Sequence, residues 1–527
     1  MTTPPCIVQF VLLQTTDVAL SEITGNVRLD RCQGVVCLHP PTKRSMTDHM
    51  LLIAGHRRPS RDGATLPVVS PASEHRVGSI AAATRTDLDD ALRAAEAGLV
   101  AWRAVPAWER ARILRRTADI VRERAHAIAE CITLETGKPL AEGLGETLAA
   151  ADQFEWYAEE AKRIYGQVMP GRAAGQRLSV LYEPVGVCVA LTAWNFPALL
   201  PARKLAAALA AGCSVILKPA GEAPGAAFAL AGACLDAGVP PEALSVVTGD
   251  PGFVSETLVT APVVRKVSLT GSVRVGRIIL HLAAEGIKRV TMELGGHAPV
   301  IVHEDADPVS AAEALAAAKF RNCGQVCISP SRFFVHRSIE PAFAEAFARV
   351  ARSAVVGDGA EAGITMGPLI SRRSLDRTLE LIDDAVARGA TILAGGRRPP
   401  HLNAGHFLEP TVLRDVAPES RIMIEEPFAP VAPIVAFDDP ADAVARANAL
   451  PFGLAGYVFT NDLQRAHETV DALEVGMVGV NEVLLATAEG PFGGVKESGY
   501  GREGGALGIQ DYLSPKYVKQ KFAGASR

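Results

Sequence analysis

Phe320 to Pro330 reads Phe-Arg-Asn-Cys-Gly-Gln-Val-Cys-Ile-Ser-Pro, and Cys327 within it is the candidate nucleophile. A thiol attacks a carbonyl carbon only as its thiolate, so it needs a nearby base or an environment that lowers its pKa. A cysteine alone says little, because buried thiols usually fill core space. Its companions elsewhere in the chain carry the argument. Met292-Glu293-Leu294-Gly295-Gly296 offers a carboxylate beside a flexible loop, a group that could serve as a general base. Trp194-Asn195-Phe196-Pro197 offers a side-chain amide, which with the Cys327 backbone N–H makes two donors for an oxyanion. Each such donor is worth on the order of 3 kcal/mol. Gly324 is expected to let backbone approach a ligand.

Lys218-Pro219-Ala220 ends an apolar strand with a cation, and Glu425-Glu426-Pro427-Phe428 adds a carboxylate and a ring. Thr270-Gly271-Ser272-Val273-Arg274-Val275-Gly276 follows a strand and opens a helix, so backbone N–H groups and the Ser272 hydroxyl can meet a pyrophosphate. A formal G-x-G-x-x-G at Gly499, Gly501 and Gly504 follows no strand and opens no βαβ unit, and is set aside as a dinucleotide fingerprint. Cys323 would share a helical face with Cys327 if the segment were helical. A metal pair there lacks its third and fourth ligands, so no metal is expected and packing is the simpler role.

In this order and at these separations, the motifs resemble those of the aldehyde dehydrogenase superfamily, from about Leu51 to Phe522. The resemblance implies an aldehyde-dehydrogenase fold of class α/β, with two Rossmann-like parallel-sheet domains and a small oligomerisation β-extension. It implies Cys327 as nucleophile, Glu293 as base and Asn195 as oxyanion donor. Cofactor contacts are implied at Trp194, Lys218, Glu222, Gly249, Gly271, Ser272, Leu294, Glu426 and Phe428. Glu293 argues against the coenzyme-A-acylating branch, so the product is expected to be a free acid. Where many NAD-using members have Glu three residues after the lysine, this chain has Gly221, with Glu222 next. NAD is expected on the strength of Glu222, with NADP the alternative.

Arg203 and Arg321 fall where succinate-semialdehyde dehydrogenases place arginines for the substrate's distal carboxylate, and planar bidentate pairing suits Arg to that task. Structural ion pairing is the alternative for both. Those enzymes also use a serine before the Pro-Phe-Gly-Gly motif; here the place reads Leu485-Ala486-Thr487, leaving Thr487 as substitute. Ser329 stands where a second cysteine would build a redox switch, so none is expected. The implied reaction oxidises an aldehyde, best a semialdehyde carrying a carboxylate. A broad or aromatic aldehyde dehydrogenase is the runner-up, and a noncatalytic binding protein the alternative of another class.

At 527 residues, 48% apolar and 21% charged, the chain can build several cores. A net charge of -5 gives no reason to expect nucleic acid or an anionic membrane as partner. Nine cysteines without C-x-x-C spacing argue for a reducing compartment, taken as the cytoplasm. The uncharged run from Pro184 to Ala202 contains Asn195 and prolines, and reads as a buried strand and loop, not a bilayer span. No secretory signal is expected in the first residues, which lack Lys or Arg before their apolar patch.

Residues 1–45 read as a poorly ordered extension. Short β-rich runs alternating with alanine-rich helices predict parallel sheets covered on both faces. The expected domains are cofactor-binding at 46–165 and 184–292, catalytic at 293–507, and oligomerisation strands at 166–183 and 508–525. One long helix is expected from Ala107 to Leu134, and the tail from Tyr512 to Phe522 is expected to pair with the projecting strand of another subunit in a homodimer or homotetramer.

Overall fold

The computed structural model describes residues 29–32, 35–38 and 47–522. In the leader, Leu29–Cys32 and Val35–Leu38 pair antiparallel, with Leu29 opposite Leu38; the remainder of the expected 1–45 extension lies outside the described residues.

From Thr47 onward two large sheets organise the chain. The first has eight strands, with a parallel centre ordered Arg289–Glu293, Val264–Thr270, Val187–Leu191, Ser214–Lys218, Leu244–Val246. Gly499–Tyr500 closes one edge antiparallel, and the hairpin of Leu51–Ile53 and His56–Arg58 closes the other. The central strands Val187–Leu191 and Ser214–Lys218 are buried along their whole length. Both faces are therefore covered, which is why their sequences are continuous apolar runs and not alternating ones.

The order of that sheet fixes where a ligand can bind. From Val187–Leu191 the chain builds outward through Ser214–Lys218 and Leu244–Val246, then returns to place Val264–Thr270 on the other side. The connections after Val187–Leu191 and after Val264–Thr270 diverge to opposite directions, leaving a crevice at their carboxyl ends. Those ends lead into Trp194-Asn195 and Gly271-Ser272.

The second sheet has seven strands ordered Thr391–Ala394, Thr411–Arg414, Val431–Phe437, Pro330–His336, Ala298–Val302, Ala455–Phe459, Met477–Val480, parallel except for the first pair. Glu293 ends a strand of the first sheet, and Gly295-Gly296 carry the chain to Ala298 in the second. Cys327 lies just before Pro330–His336, so the carboxylate and the thiol meet at the seam.

Two expectations are corrected. The helix expected from Ala107 to Leu134 is two helices, Ala107–Glu123 and Ala125–Thr136, meeting at Arg124. Buried residues continue across the junction at helical spacing (Ile120, Val121, Ala125, Ile128), so the apolar period carries no mark of the break. The tail strand Leu513–Lys521 pairs antiparallel with Gln176–Pro184 of its own chain, Leu513 opposite Pro184 and Lys521 opposite Gln176. A sequence cannot distinguish pairing with its own strand from pairing with a copy of it.

The Leu199–Ala211 helix is buried at every residue, including Arg203 and Lys204. A helix apolar almost all round belongs in a protein interior, where a cation is costly unless it is partnered. Lys204 bonds the Ser268 hydroxyl at 3.0 Å and pairs with Glu503.

Candidate active site

A cavity of about 540 Å³ opens at the switch point. Cys327, Asn195, Glu293 and Leu294 line it together with Trp194, Gly271, Ser272, Glu426 and Phe428. Residues read from five separated motifs thus share one wall.

The segment before the thiol is not a helix. Arg321–Gly324 forms a tight turn in which Asn322 (φ 48°), Cys323 (φ 55°) and Gly324 (φ +70°) are all left-handed. Cys323 and Cys327 consequently share no helical face: Cys323 packs in the core, whereas Cys327 is half-buried at the cavity. Gly324 serves a different end from the one expected. A Cβ there would lie 2.2 Å from the Ala429 carbonyl oxygen, so the glycine admits neighbouring backbone and not a ligand. Burial pushes the Cys327 thiol up to about 12; Arg203 opposes this, and Glu293 and Glu426 add to it.

The Asn195 amide nitrogen donates to the Gln325 carbonyl at 3.1 Å, linking its loop to the cysteine segment. Glu293 is buried, and neither of its carboxyl oxygens has a hydrogen-bond partner. Burial, reinforced by the Glu503 carboxylate, holds its pKa well above the usual carboxylate range, while Lys204 and Arg203 oppose the shift. An uncompensated buried carboxyl is costly, and such groups concentrate where chemistry uses them. Gly295 and Gly296 also admit neighbours: a Cβ on Gly295 would lie 2.5 Å from Glu426 Oε2, and one on Gly296 would lie 3.0 Å from the Cys327 carbonyl.

Across the cavity, Ser272 caps the Val273–Glu285 helix by accepting the Val275 N–H at 3.4 Å. Its O–H stays available as a donor beside the helix N-terminus, the arrangement that suits a pyrophosphate. Glu426 accepts the Gly296 N–H at 3.2 Å, and burial raises its carboxyl to about 7. Phe428 holds φ 45°, a conformation costly for a bulky residue, and meets Trp194 edge-on at 5.7 Å. This donor set and cleft fit a nicotinamide dinucleotide.

Other expected residues lie apart from that cavity. Lys218 ends its strand buried, its ammonium 3.3 Å from the Pro219 carbonyl, and burial lowers its pKa. Glu222 is exposed on the following turn. Gly249 has φ +144°, and a Cβ on it would lie 3.0 Å from the Ala83 nitrogen, so backbone packing already accounts for it. Arg321 and Thr487 line a second cavity, of about 650 Å³, with Leu199 and Trp156. Arg203 lines neither cavity; it is buried with its guanidinium 4.1 Å from the centroid of Phe492, a wall residue of the first.

Phe492, Arg373 and Arg377 also line the first cavity. Phe492 belongs to the Pro-Phe-Gly-Gly motif already read, and a Cβ on its neighbour Gly493 would lie 2.9 Å from Glu293 Oε1. Arg373 and Arg377 are one turn apart on the Arg372–Ala387 helix, a spacing that gives them one face but names no ligand.

The profile of the aldehyde dehydrogenase family matches residues 58–518. The chain belongs to that family. It is 44% identical over 467 residues to the succinate-semialdehyde dehydrogenase [NADP(+)] GabD of Escherichia coli strain K12, covering 89% of this chain and 96% of that protein. It is 43% identical over 457 residues to a glutarate-semialdehyde dehydrogenase of Pseudomonas aeruginosa, covering 87% and 94%. The crystal structure of a succinate-semialdehyde dehydrogenase from Burkholderia pseudomallei superposes with a TM-score of 0.88 at 43% identity, covering 90% of this chain and 98% of that one. The two-sheet α/β architecture is accordingly the aldehyde dehydrogenase fold, and the enzyme is an NAD(P)-dependent aldehyde dehydrogenase. Among the described residues of this aldehyde dehydrogenase, no helix is long and apolar enough to cross a membrane, and no His, Cys, Asp and Glu cluster could hold a metal ion.

Proposed function

We propose that this aldehyde dehydrogenase oxidises a short semialdehyde bearing a distal carboxylate to the dicarboxylic acid, with Cys327 as nucleophile, Glu293 as general base and Asn195 as oxyanion donor. The observation that carries the chemistry is the single cavity joining those three residues to the Ser272 turn and to Glu426 and Phe428. The relatives named for succinate and for glutarate semialdehyde stand at 44% and 43% identity, which supports the carboxylate without choosing the chain length.

The Cys327 thiol gives its proton to solvent water, the thiolate Sγ bonds the aldehyde carbon, and the oxygen that gains charge is met by the Asn195 Nδ2 and the Cys327 N–H. NAD(P), which the Ser272 turn, Glu426 and Phe428 would hold, would supply the hydride acceptor, and loss of hydride from that carbon leaves a thioester on Cys327. Glu293 then takes a proton from the attacking water, the C–S bond breaks, and the acid departs with the thiol restored. A carboxyl that burial makes more basic is the better proton acceptor for that step.

Arg203, Arg321 and Thr487 are assigned to the substrate's carboxylate. Arg203 supports this most directly, because its Nε and Nη2 groups are buried and unpartnered. Lys218 and Glu222 are assigned to the adenosine ribose, Trp194, Gly249, Gly271, Ser272 and Leu294 to the rest of the cofactor, and NAD is the preferred form. Residues 46–165 and 184–292 are assigned to cofactor binding and 293–507 to catalysis. The three-stranded sheet of Gln167–Pro170, Gln176–Pro184 and Leu513–Lys521 exposes Val168, Leu181 and Tyr517, which supports a homodimer or homotetramer built on it. Six unpaired thiols among the described residues support a reducing compartment, the cytoplasm.

The test is absorbance of reduced nicotinamide with succinate semialdehyde, glutarate semialdehyde and a neutral aldehyde, each with NAD and with NADP. Glu293→Gln should lower steady turnover by about 10²- to 10⁴-fold and still release about one equivalent of reduced cofactor in the first turnover. Full turnover by that variant would remove the base assignment, and a neutral aldehyde preferred over both semialdehydes would remove the substrate.

A further inference from the structure

The Asn195 loop is held from behind. Its backbone carbonyl accepts two buried donors, the Lys138 ammonium at 2.8 Å and the Asn322 side-chain amide at 3.0 Å. Lys138 also pairs with Glu146 at 2.6 Å and lies 4.4 Å from the centroid of the Phe196 ring. The other Glu146 oxygen accepts the Ala198 N–H at 2.7 Å and the Leu199 N–H at 3.2 Å. One turn earlier on the same Leu140–Glu160 helix, Glu142 accepts the Asn322 N–H at 2.9 Å. Asn322 sits in the left-handed turn that leads to Cys327.

The first turns of one helix therefore grip both loops that face the aldehyde. Glu146, with Lys138, holds the loop of the oxyanion donor; Glu142 holds the loop of the thiol. A buried ion pair seldom gains net stability over an apolar pair of similar volume, so stability alone does not account for charges placed here. Their partners are chiefly backbone groups of the two reactive segments, and the left-handed Asn322 and Cys323 are strained positions that such contacts keep in place.

We propose that Lys138, Glu142 and Glu146 are positioning residues that set the Asn195 amide against the Cys327 loop, and that they govern attack on the aldehyde and not the binding of cofactor. The proposal rests on the roles assigned above to Cys327 and Asn195. It predicts a coupling to Asn195 that a merely structural role would not produce.

Lys138→Met should lower kcat/KM about 30- to 100-fold for every aldehyde the wild type oxidises, charged or neutral, as expected of a misplacement near 1 Å. The Kd for NAD(P), by fluorescence titration, should stay within about 2-fold. In an Asn195→Ala background the same substitution should cost less than about 3-fold, because the group it positions is gone. Should Lys138→Met fail to fold with Glu146 left unpaired, two other variants carry the test. Lys138→Met/Glu146→Leu removes both charges together, and Glu142→Ala alters a half-buried position. The first should show the same loss of effect with Asn195→Ala, and Glu142→Ala, which acts on the thiol loop, a smaller fold-loss there than in the wild-type background. Equal fold-losses in both backgrounds, or wild-type kcat/KM in the folded double variant, overturn the proposal while leaving the active-site reading intact. A wild-type enzyme that oxidises no aldehyde removes that reading and the proposal with it.

Discussion

The Arg203 guanidinium lies 4.1 Å from the centroid of the Phe492 ring, and two of its nitrogens, Nε and Nη2, donate to nothing. A buried guanidinium with unused donors beside a cavity is prepared for an anion. Arg203→Met keeps the apolar stem and removes the charge. It should raise KM for succinate semialdehyde about 30- to 100-fold, the loss of charged hydrogen bonds worth about 2–3 kcal/mol, and leave KM for propanal within about 3-fold. Arg321→Ala should act in the same direction with a smaller factor, since Arg321 is half-buried at the wall of the second cavity. If neither variant distinguishes charged from neutral aldehyde, the carboxylate assignment is lost.

Burial pushes the Cys327 thiol up to about 12, which favours the neutral thiol in the free protein. Only the thiolate is alkylated, so its rate should follow the thiolate fraction. Alkylation of Cys327 by iodoacetamide, followed by peptide mass spectrometry, should rise about tenfold per pH unit between pH 7 and pH 10. A plateau beginning below pH 8 would mean that the thiol is already ionised near neutrality.

Glu426 titrates near 7, because burial raises its carboxyl; Lys319, Arg377 and the Gly296 N–H face it and favour the charged form. Burial lowers Lys319 to about 7 as well. A raised carboxyl pKa leaves Glu426 protonated below that pH, when it is the weaker acceptor for a cofactor hydroxyl, the contact proposed for it. The Kd for NAD(P) should therefore fall as pH rises from 6 to 8, and Glu426→Gln should flatten that change. Titration of Lys319 alone would give the opposite slope and would survive in the variant.

In the proposed reading Gly221 faces the adenosine ribose, where a carboxylate would repel a 2′-phosphate, and a Cβ there would meet only Ile80 Cδ1, at 3.4 Å. A side chain can therefore be added. Gly221→Glu should lower kcat/KM with NADP by at least about 10-fold, a repulsion of roughly 1.4 kcal/mol, and leave NAD nearly unchanged. Equal losses with both would mean that the residue does not face the adenosine ribose.

Gly324→Ala asks for a Cβ 2.2 Å from the Ala429 carbonyl oxygen, on backbone at φ +70°. Backbone and not a mobile side chain must give way. Destabilisation on the order of 3 kcal/mol or more is expected from strain and clash together, visible as a lower Tm, with activity falling further because the turn leads to Cys327. Unchanged stability would show that the turn relaxes freely.

Sequence alone pointed to the reaction class and the class of fold. A thiol, a carboxylate and an amide in distinctive runs need no coordinates to be named, and apolar runs alternating with alanine-rich helices specify parallel sheets because burial on both faces demands them. Tertiary structure decided which of those groups meet. The switch point brings Glu293, Cys327 and Asn195 to one cavity, sends Arg321 and Thr487 to another, and buries Arg203 behind Phe492. It also decided what Gly324 and Gly295 are for, since a glycine's neighbours come from distant strands and loops that its own sequence context does not name. The grip of Lys138 and Glu146 on the Asn195 loop was hidden for the same reason: hydrogen bonds between segments about fifty residues apart leave no period in the sequence.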